Sequence, residues 1–401
     1  MKQLTFVPRL LVGAAIIFTF TASPTAHAQQ GEPTLSSKWE KSKRDRNKSS
    51  VSVISGGIRG TYIRFATDLA NVLDDLKGNQ MRVLPVAGRG GGQNVLDVLF
   101  LKGIDMGITQ QDHLTFFKQR DPVLFGNIDK RVRYITKLYN AEFTMVARKD
   151  IKSFEDLKGK TISLWRPWSA TDIGGQTILK LLGLDKDVKV IHIDTGSGIE
   201  KVKSGEIAGV VLLAGAPIGG FKDLQGTDGL HFVPLDAKTL PKRDFSKVLD
   251  VYLPSRLKHE DYPGMIPAGQ TVPTVASGAV LAVYNWPENT ERYQKVARFV
   301  KRFFDNFEKF RQAPRHPKWK EINLAAKIPG WTRFKAAEEW LAAKRNATAA
   351  ASAGGSSGDM RVAFDRFVKR YARISGGGQL SSTQRDQLFQ QFYQMWQSRN
   401  Q

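Results

Sequence analysis

Three short stretches of small and basic residues have the composition of anion-binding loops. They occupy residues 56–62 (Gly-Gly-Ile-Arg-Gly-Thr-Tyr), 88–93 (Gly-Arg-Gly-Gly-Gly-Gln) and 165–172 (Trp-Arg-Pro-Trp-Ser-Ala-Thr-Asp), and each opens a stretch of helical pattern. The first backbone N–H groups of a helix have no partner within the helix, and the helix dipole is positive there. Small residues let a carboxylate or a similar anion approach those groups. The chemistry predicted from these stretches is the binding of an anion.

Side chains within the loops extend this prediction. Arg59 and Arg166 could clamp a carboxylate through the planar guanidinium fork, or they could be solvated loop arginines, and both readings stay open. Thr61, Ser169 and Thr171 can cap helices and bind a ligand at the same time. The candidate ligand-binding residues of the loops, with a glutamine that follows a strand end, are Gly57, Arg59, Gly60, Thr61, Tyr62, Arg89, Gln93, Gln110, Arg166, Trp168, Ser169, Ala170 and Thr171.

Catalytic and metal-binding patterns are missing from the sequence. The chain has no cysteine, which excludes disulfides, thiolate metal sites and a cysteine nucleophile. The string Gly354-x-Ser356-x-Gly358 resembles a nucleophile elbow, but it lies in an Ala/Ser/Gly-rich segment and not between a strand and a helix. The histidines beyond residue 28 are scattered, at positions 113, 192, 231, 259 and 316. We therefore predict no enzyme activity, no cofactor and no metal site.

The body of the chain alternates between short β-branched runs and helical patterns. Strands are predicted at 51–54, 81–86, 106–109, 161–164, 188–193 and 209–213, and helices at 62–76 and 171–182. This alternation predicts an α/β fold with two similarly wired halves and a mainly parallel sheet. Ligands bind at the carboxyl ends of the strands in such sheets, which is where the three loops should lie.

The N-terminal residues have the pattern of an export signal. Lys2 and Arg9 precede an apolar run over residues 10–21, and Ala-His-Ala at 26–28 fits a cleavage site. The alternative, an uncleaved membrane anchor, would need an apolar run of about 20 residues. With no cysteine to carry a lipid, the sequence predicts a periplasmic protein that is not lipid-anchored. Residues 29–50 are polar and charged and are predicted to form a flexible arm.

The C-terminal third is predicted to contain a Phe-rich core helix over 288–310, a linker over 346–358 and two short amphipathic helices. Most of the formal net charge of +22 lies towards the ends, since residues 291–401 hold 22 basic and 9 acidic side chains. Without a recognisable nucleic-acid-binding motif, this charge does not indicate nucleic acid as a partner. A transient contact of the basic C-terminal region with an anionic membrane surface, or with an acidic partner, fits better.

The chain resembles the TAXI class of solute receptors for TRAP transporters, which belong with the type II periplasmic binding proteins. The resemblance covers about residues 50–310. It rests on Val-Ser-Val-Ile-Ser-Gly-Gly-x-x-Gly-Thr-Tyr at 51–62 and on later motifs in the same order, at 90–94, 103–112, 151–160, 169–171, 204–209 and 214–217. The last of these motifs adds Ala216 to the candidate ligand-binding residues.

The resemblance implies two α/β lobes joined by a hinge, with a small solute of the carboxylate class bound between them. The first lobe would comprise residues 51–142 and 284–330, and the second 143–283, followed by a linker and helical extension over 331–401. The protein would act as a monomer and deliver its solute to a TRAP-type membrane permease. A receptor of the same fold for an ABC importer or a sensor kinase is the alternative.

The chain departs from the family pattern in the loops themselves. Ile58 and Arg59 replace small residues, and Trp165, Arg166 and Trp168 stand where glycines are expected. The predicted ligand-facing surface is therefore bulkier and more cationic than usual.

Overall fold

The computed structural model describes residues 35–74, 81–354, 364–368, 388, 389 and 392. The predicted signal peptide, residues 1–28, lies outside these ranges. No helix in the described part of the chain combines the length and the apolar character needed to cross a membrane. The chain divides into two units, Met1–Arg44 and Asp45–Gln401, and the second contains the whole sheet.

Helices and strands alternate along most of the described chain. The helices are α1 Leu35–Lys48, α2 Thr61–Leu73, α3 Gly91–Phe100, α4 His113–Arg120, α5 Pro122–Phe125, α6 Ile128–Arg131, α7 Ala170–Leu181, α8 Thr195–Lys203, α9 Ser246–Leu249, α10 Glu291–Asp305, α11 Phe307–Phe310 and α12 Lys335–Gly354. The strands are β1 Ser50–Ile54, β2 Arg82–Val86, β3 Met106–Gln110, β4 Val132–Arg148, β5 Thr161–Ser163, β6 Lys189–Ile191, β7 Gly209–Ala214, β8 Leu230–Phe232, β9 Leu253–Lys258 and β10 Thr271–Tyr284. Short 3₁₀ helices cover Phe154–Leu157, Gly226–Asp228 and Pro317–Glu321.

The sheet has two parallel halves joined by two long antiparallel strands. Its order is β2-β1-β3-β10-β4-β7-β5-β6, with β8 and β9 paired to β4 and β10. On one side β1 pairs in parallel with β2 and β3, and on the other β5 pairs in parallel with β6 and β7. Between them β4 and β10 run antiparallel to each other and to their outer neighbours. Each half therefore places its first strand between its second and third, which confirms the predicted α/β class with similarly wired halves.

The Phe-rich helix packs into the main hydrophobic core, as its spacing predicts. It is α10, in which Phe299, Val300 and Phe303 are fully buried. Thr290 caps its start by accepting the Tyr293 amide at 3.2 Å. The helix ends at Asp305 rather than at 310, and a separate turn, α11, follows.

Two segments are helical where the composition predicted an arm and a linker. Within the predicted arm, α1 forms a helix without a buried residue. Within the predicted linker over 346–358, the chain stays helical to Gly354. The physical reason in the second case is alanine, which has the highest helix propensity and outweighs the scattered Ser and Gly residues. Further on, Phe364 packs against Leu388 and Phe392, and most of the predicted pair of short helices lies outside the described residues.

The segment after α11, which the family resemblance does not explain, is part of the core. The Trp319 indole N–H donates to the buried Asp68 of α2 at 2.8 Å. The Trp331 indole N–H donates to the Gln111 carbonyl at 2.8 Å, and the Arg333 guanidinium lies over the Tyr134 ring at 4.5 Å. This stretch is thus tied both to the first parallel half of the sheet and to the long strand β4.

His316 in this segment should make stability depend on pH. Its ring is buried, its Nδ1 accepts the Lys318 amide at 3.2 Å, and burial, with Arg64 and Lys318 nearby, lowers its pKa from 6.5 to about 4. Between those values the unfolded chain binds the proton and the folded protein does not, so stability falls as the pH falls. We expect His316 to remove about 2 kcal/mol of unfolding free energy between pH 7 and pH 4.5.

Urea unfolding at the two pH values tests this expectation. The variant His316→Asn keeps an acceptor near the Nδ1 position but does not titrate, so its loss of stability should be smaller by about the same 2 kcal/mol. Carboxyl groups contribute equally to both proteins and cancel in the comparison. An identical pH dependence in the variant would contradict the assignment.

Candidate functional site

Four loops that join a parallel strand to a helix meet around one cavity. They connect β1 to α2, β2 to α3, β5 to α7 and β6 to α8, and residues of all four line a cavity of about 380 Å³. The loops meet because the carboxyl ends of parallel strands lie at one edge of each half-sheet. A cavity of this size suits a small organic molecule.

Ten of the predicted ligand-binding residues lie in the wall of this cavity. They are Gly57, Arg59, Gly60, Thr61, Tyr62, Arg89, Arg166, Ser169, Ala170 and Thr171. The structure therefore brings the three predicted loops together, and contact of these residues with a solute stays a prediction.

Gln93 and Gln110 lie outside the wall. The side chain of Gln93 donates to Asp97 at 3.0 Å, within its own helix, and its backbone amide donates to the Trp168 carbonyl at 3.1 Å. Gln110 is fully buried, and its amide nitrogen donates to the Tyr62 hydroxyl at 2.6 Å. Gln110 thus lies behind Tyr62, a residue of the cavity wall, and orients the Tyr62 hydroxyl.

Trp168 and Ala216 also lie outside the wall. The Trp168 ring stacks on Phe117 with a centroid distance of 6.1 Å, and the Arg120 guanidinium carbon lies 4.5 Å from the centre of the Trp168 ring. The ring is therefore held in a neighbouring aromatic cluster. Ala216 is buried, and its backbone amide donates to the Glu142 carboxylate at 2.9 Å.

The fourth loop was not among the predicted sites. Asp194, Thr195 and Gly196 at the start of α8 line the cavity, together with the end of β7. The same signal, small and polar residues between a strand and a helix, could have identified this loop. Its carboxylate is engaged locally, since Asp194 accepts the Ser197 hydroxyl at 2.7 Å and the Ser197 amide at 3.1 Å, and these bonds lower the pKa of Asp194.

The helix starts differ in how their backbone N–H groups are satisfied. The N-cap residue is a glycine in α2 (Gly60) and in α3 (Gly90), so neither helix start has a side-chain acceptor from its cap. Ser169 caps α7 by accepting the Asp172 amide at 3.1 Å. The start of α2 therefore keeps backbone donors and a positive dipole end towards the cavity, whereas in the first turn of α3 the Gln93 amide already donates to the Trp168 carbonyl.

The side chains of the wall carry an excess of positive charge. Arg59, Arg89 and Arg166 all line the cavity with exposed side chains, and within the described residues none of them pairs with a carboxylate. The Arg166 guanidinium lies 5.1 Å from the Trp165 ring centre, which leaves its N–H groups free to bind an anion. Among the described residues that line the cavity, Asp194 is the single acidic one.

Loops of the two halves touch each other across the cavity. A Cβ atom added to Gly57 would lie 2.7 Å from the Trp165 ring, and one added to Gly91 would lie 2.1 Å from the Ala170 nitrogen. The Thr61 hydroxyl donates to the Gly215 carbonyl at 2.9 Å. The glycines of the first half are thus required for this close approach.

Two tryptophans of the second-half loop adopt left-handed backbone. Trp165 has a φ of 65° and Trp168 a φ of 66°, which are unfavourable for a bulky residue. The Trp165 amide donates to the Ser163 hydroxyl at 3.3 Å, and the Trp168 amide donates to Asp172 at 2.8 Å. Local hydrogen bonds thus hold this strained backbone in place.

A second cavity of about 600 Å³ is a weaker candidate because its main charges neutralise each other. Glu142 and Lys318 in its wall form an ion pair at 2.5 Å, and Lys318 also pairs with Glu321 at 2.9 Å. Within the described residues, no group of three or more His, Asp or Glu side chains is arranged to hold a metal ion.

Comparisons with known proteins identify one matching family. The model of the NMT1-like family matches residues 53–331. Among solved structures, an L-arginine-bound substrate-binding protein of an amino acid ABC transporter from Streptococcus pneumoniae is similar, with 12% identity, a TM-score of 0.38 and coverage of 71% of this chain and all of that one. The aliphatic sulphonate-binding protein of Escherichia coli is 13% identical, with a TM-score of 0.38 and coverage of 69% and 76%.

Proposed function

Because the chain belongs to the NMT1-like family, we propose that it is a solute receptor that binds a small anionic organic molecule of the carboxylate class. The observation that carries this proposal is the cavity lined by Arg59, Arg89 and Arg166, which have no carboxylate partner among the described residues and lie beside two helix starts capped by glycine. Guanidinium groups and helix N-termini are both complementary to a carboxylate.

The proposed receptor has two lobes that close on the solute. Residues 51–142 and 284–330 form the first lobe and residues 143–283 the second, with β4 and β10 passing between them. Support comes from the repeated strand order on either side of these two strands and from the loop contacts across the cavity. We propose that the protein works in the periplasm as a non-enzymatic receptor.

The permease served would be of the TRAP type. This proposal rests on the TAXI-like motif over residues 51–62, whose loop lines the cavity. Neighbouring reading frames separate the alternatives. A gene for a many-helix permease beside this one supports TRAP delivery, whereas a gene for an ATPase or a sensor kinase would contradict it.

Native mass spectrometry of the mature protein tests the proposed ligand class. We expect a small organic anion to co-purify and to be released on denaturation, and calorimetry with that compound should give a saturable isotherm. If no anion co-purifies and a panel of short mono- and dicarboxylates leaves the melting temperature unchanged, the proposal is wrong.

A further inference from the structure

A buried ion pair joins the long strand β4 to the segment after α11. Glu142 lies in β4 with 4% of its surface exposed, and its Oε1 accepts the Lys318 ammonium at 2.5 Å. Lys318 belongs to the 3₁₀ helix Pro317–Glu321 and is 7% exposed. Two charges buried this deeply gain little from each other alone, because removing both from water opposes their attraction. Their remaining hydrogen bonds therefore matter.

The second oxygen of the same carboxylate reaches the cavity loop. Glu142 Oε2 accepts the backbone N–H of Ala216 at 2.9 Å. Ala216 lies in the turn after β7, and the residues Ala214 and Ile218 on either side of it line the cavity. The carboxylate thus holds the middle of a turn whose two ends form part of the cavity wall.

Gly215, the residue before Ala216, connects this turn to the first half of the sheet. The Gly215 carbonyl accepts the Thr61 hydroxyl at 2.9 Å, and Thr61 is the first residue of α2 and lines the cavity. Gly215 has no room for displacement towards Tyr139, since an added Cβ atom would lie 2.6 Å from that ring. A shift of the turn would therefore break the contact with Thr61 and change the wall on both sides.

We infer that Glu142 is a positioning residue for the solute site, because it holds the backbone of residues 214–218 in place. Lys318 in turn holds the Glu142 carboxylate in position. This inference rests on the proposed function, because it assumes that the cavity is the solute site. The segment after α11 then has a role beyond core packing, since it provides the counter-ion for a carboxylate that shapes the cavity wall.

Two double variants separate the hydrogen bond to Ala216 from the ion pair. Glu142→Gln with Lys318→Met removes both charges but keeps an oxygen that can accept the Ala216 N–H. Glu142→Leu with Lys318→Met removes both charges and the acceptor. Neither double variant leaves a buried charge without its partner, so both proteins are expected to fold, and urea unfolding checks that they do.

Hydrogen–deuterium exchange of the full mature chain, read by mass spectrometry in peptides covering residues 212–222, provides the measurement. We expect exchange in the Glu142→Leu, Lys318→Met protein to be about tenfold faster than in the wild type, and the Glu142→Gln, Lys318→Met protein to stay within about twofold of it. Equal exchange in the two variants would overturn the inference. The exchange is measured on protein that has been unfolded and refolded to release any co-purifying solute, so the result is independent of whether the protein binds an anion. A failure of the proposed function would appear only in the mass-spectrometric and calorimetric tests.

Discussion

Replacement of Arg59 and Arg166 together by alanine should lower the affinity for the anionic solute at least a hundredfold, or about 2.7 kcal/mol. Each single replacement should lower it at least tenfold. Both guanidinium groups line the cavity, one from each half of the sheet, and within the described residues neither has a carboxylate partner. A charged hydrogen bond to a ligand is worth about 1.5 to 3 kcal/mol, and each arginine can offer two.

Calorimetry with the co-purifying compound is the measurement. Arg256→Ala is the matched control, because Arg256 lines the second cavity and bonds to Thr271 at 3.3 Å. This control should bind the solute as the wild type does. Unchanged affinity in both single variants at Arg59 and Arg166 would show that they are solvated loop arginines, the alternative that the sequence leaves open.

Replacement of Gly91 by alanine should prevent the starts of α3 and α7 from meeting. The added Cβ atom would lie 2.1 Å from the Ala170 nitrogen and 2.6 Å from its Cα, and no side-chain rotation can relieve a contact with backbone. If the two lobes close on the solute, this variant should stay open. We expect its affinity for the solute to fall at least tenfold, about 1.4 kcal/mol.

Small-angle scattering with and without the co-purifying compound reads closure directly. The wild type should become more compact at saturating solute, and Gly91→Ala should not. Gly159→Ala is the control, since Gly159 has a similar positive φ of 70° but no atom within 4 Å of an added Cβ. Both variants lose about 1 kcal/mol of stability to the left-handed backbone, so only the contact with Ala170 distinguishes them. Equal compaction in both variants would contradict the closure mechanism.

The loop residues of the site could be located from sequence because their signal is local. A β-branched run, small residues and a helical pattern follow one another within a short stretch, and this order places Gly57, Thr61 and Ser169 at helix starts wherever the helices lie in space. The loop at Asp194 carries the same signal in a weaker form, since its glycines, Gly196 and Gly198, lie within α8 and not between the strand and the helix.

Side-chain direction could not be predicted in the same way. Trp168 has the residue type of a pocket wall, yet its ring stacks on Phe117 of α4. Its left-handed backbone and the bond from its amide to Asp172 set the direction of the ring, and neither can be read from residue type. The burial of Glu142 could not be predicted from sequence either, because a single acidic residue in a strand is more often exposed than buried.

The sequence by itself determined the α/β class, the repeated wiring of the two halves and the anion-friendly loops, because hydrophobic period, glycine placement and capping residues act over a few neighbours. Only the tertiary structure decided that the first three loops and a fourth line one cavity, and that three arginines there lack acidic partners within the described part of the chain. It also decided that the segment after α11 reaches the cavity wall through Lys318 and Glu142. These features join residues far apart in the chain, and the packing of the whole sheet and its helices sets which of them meet.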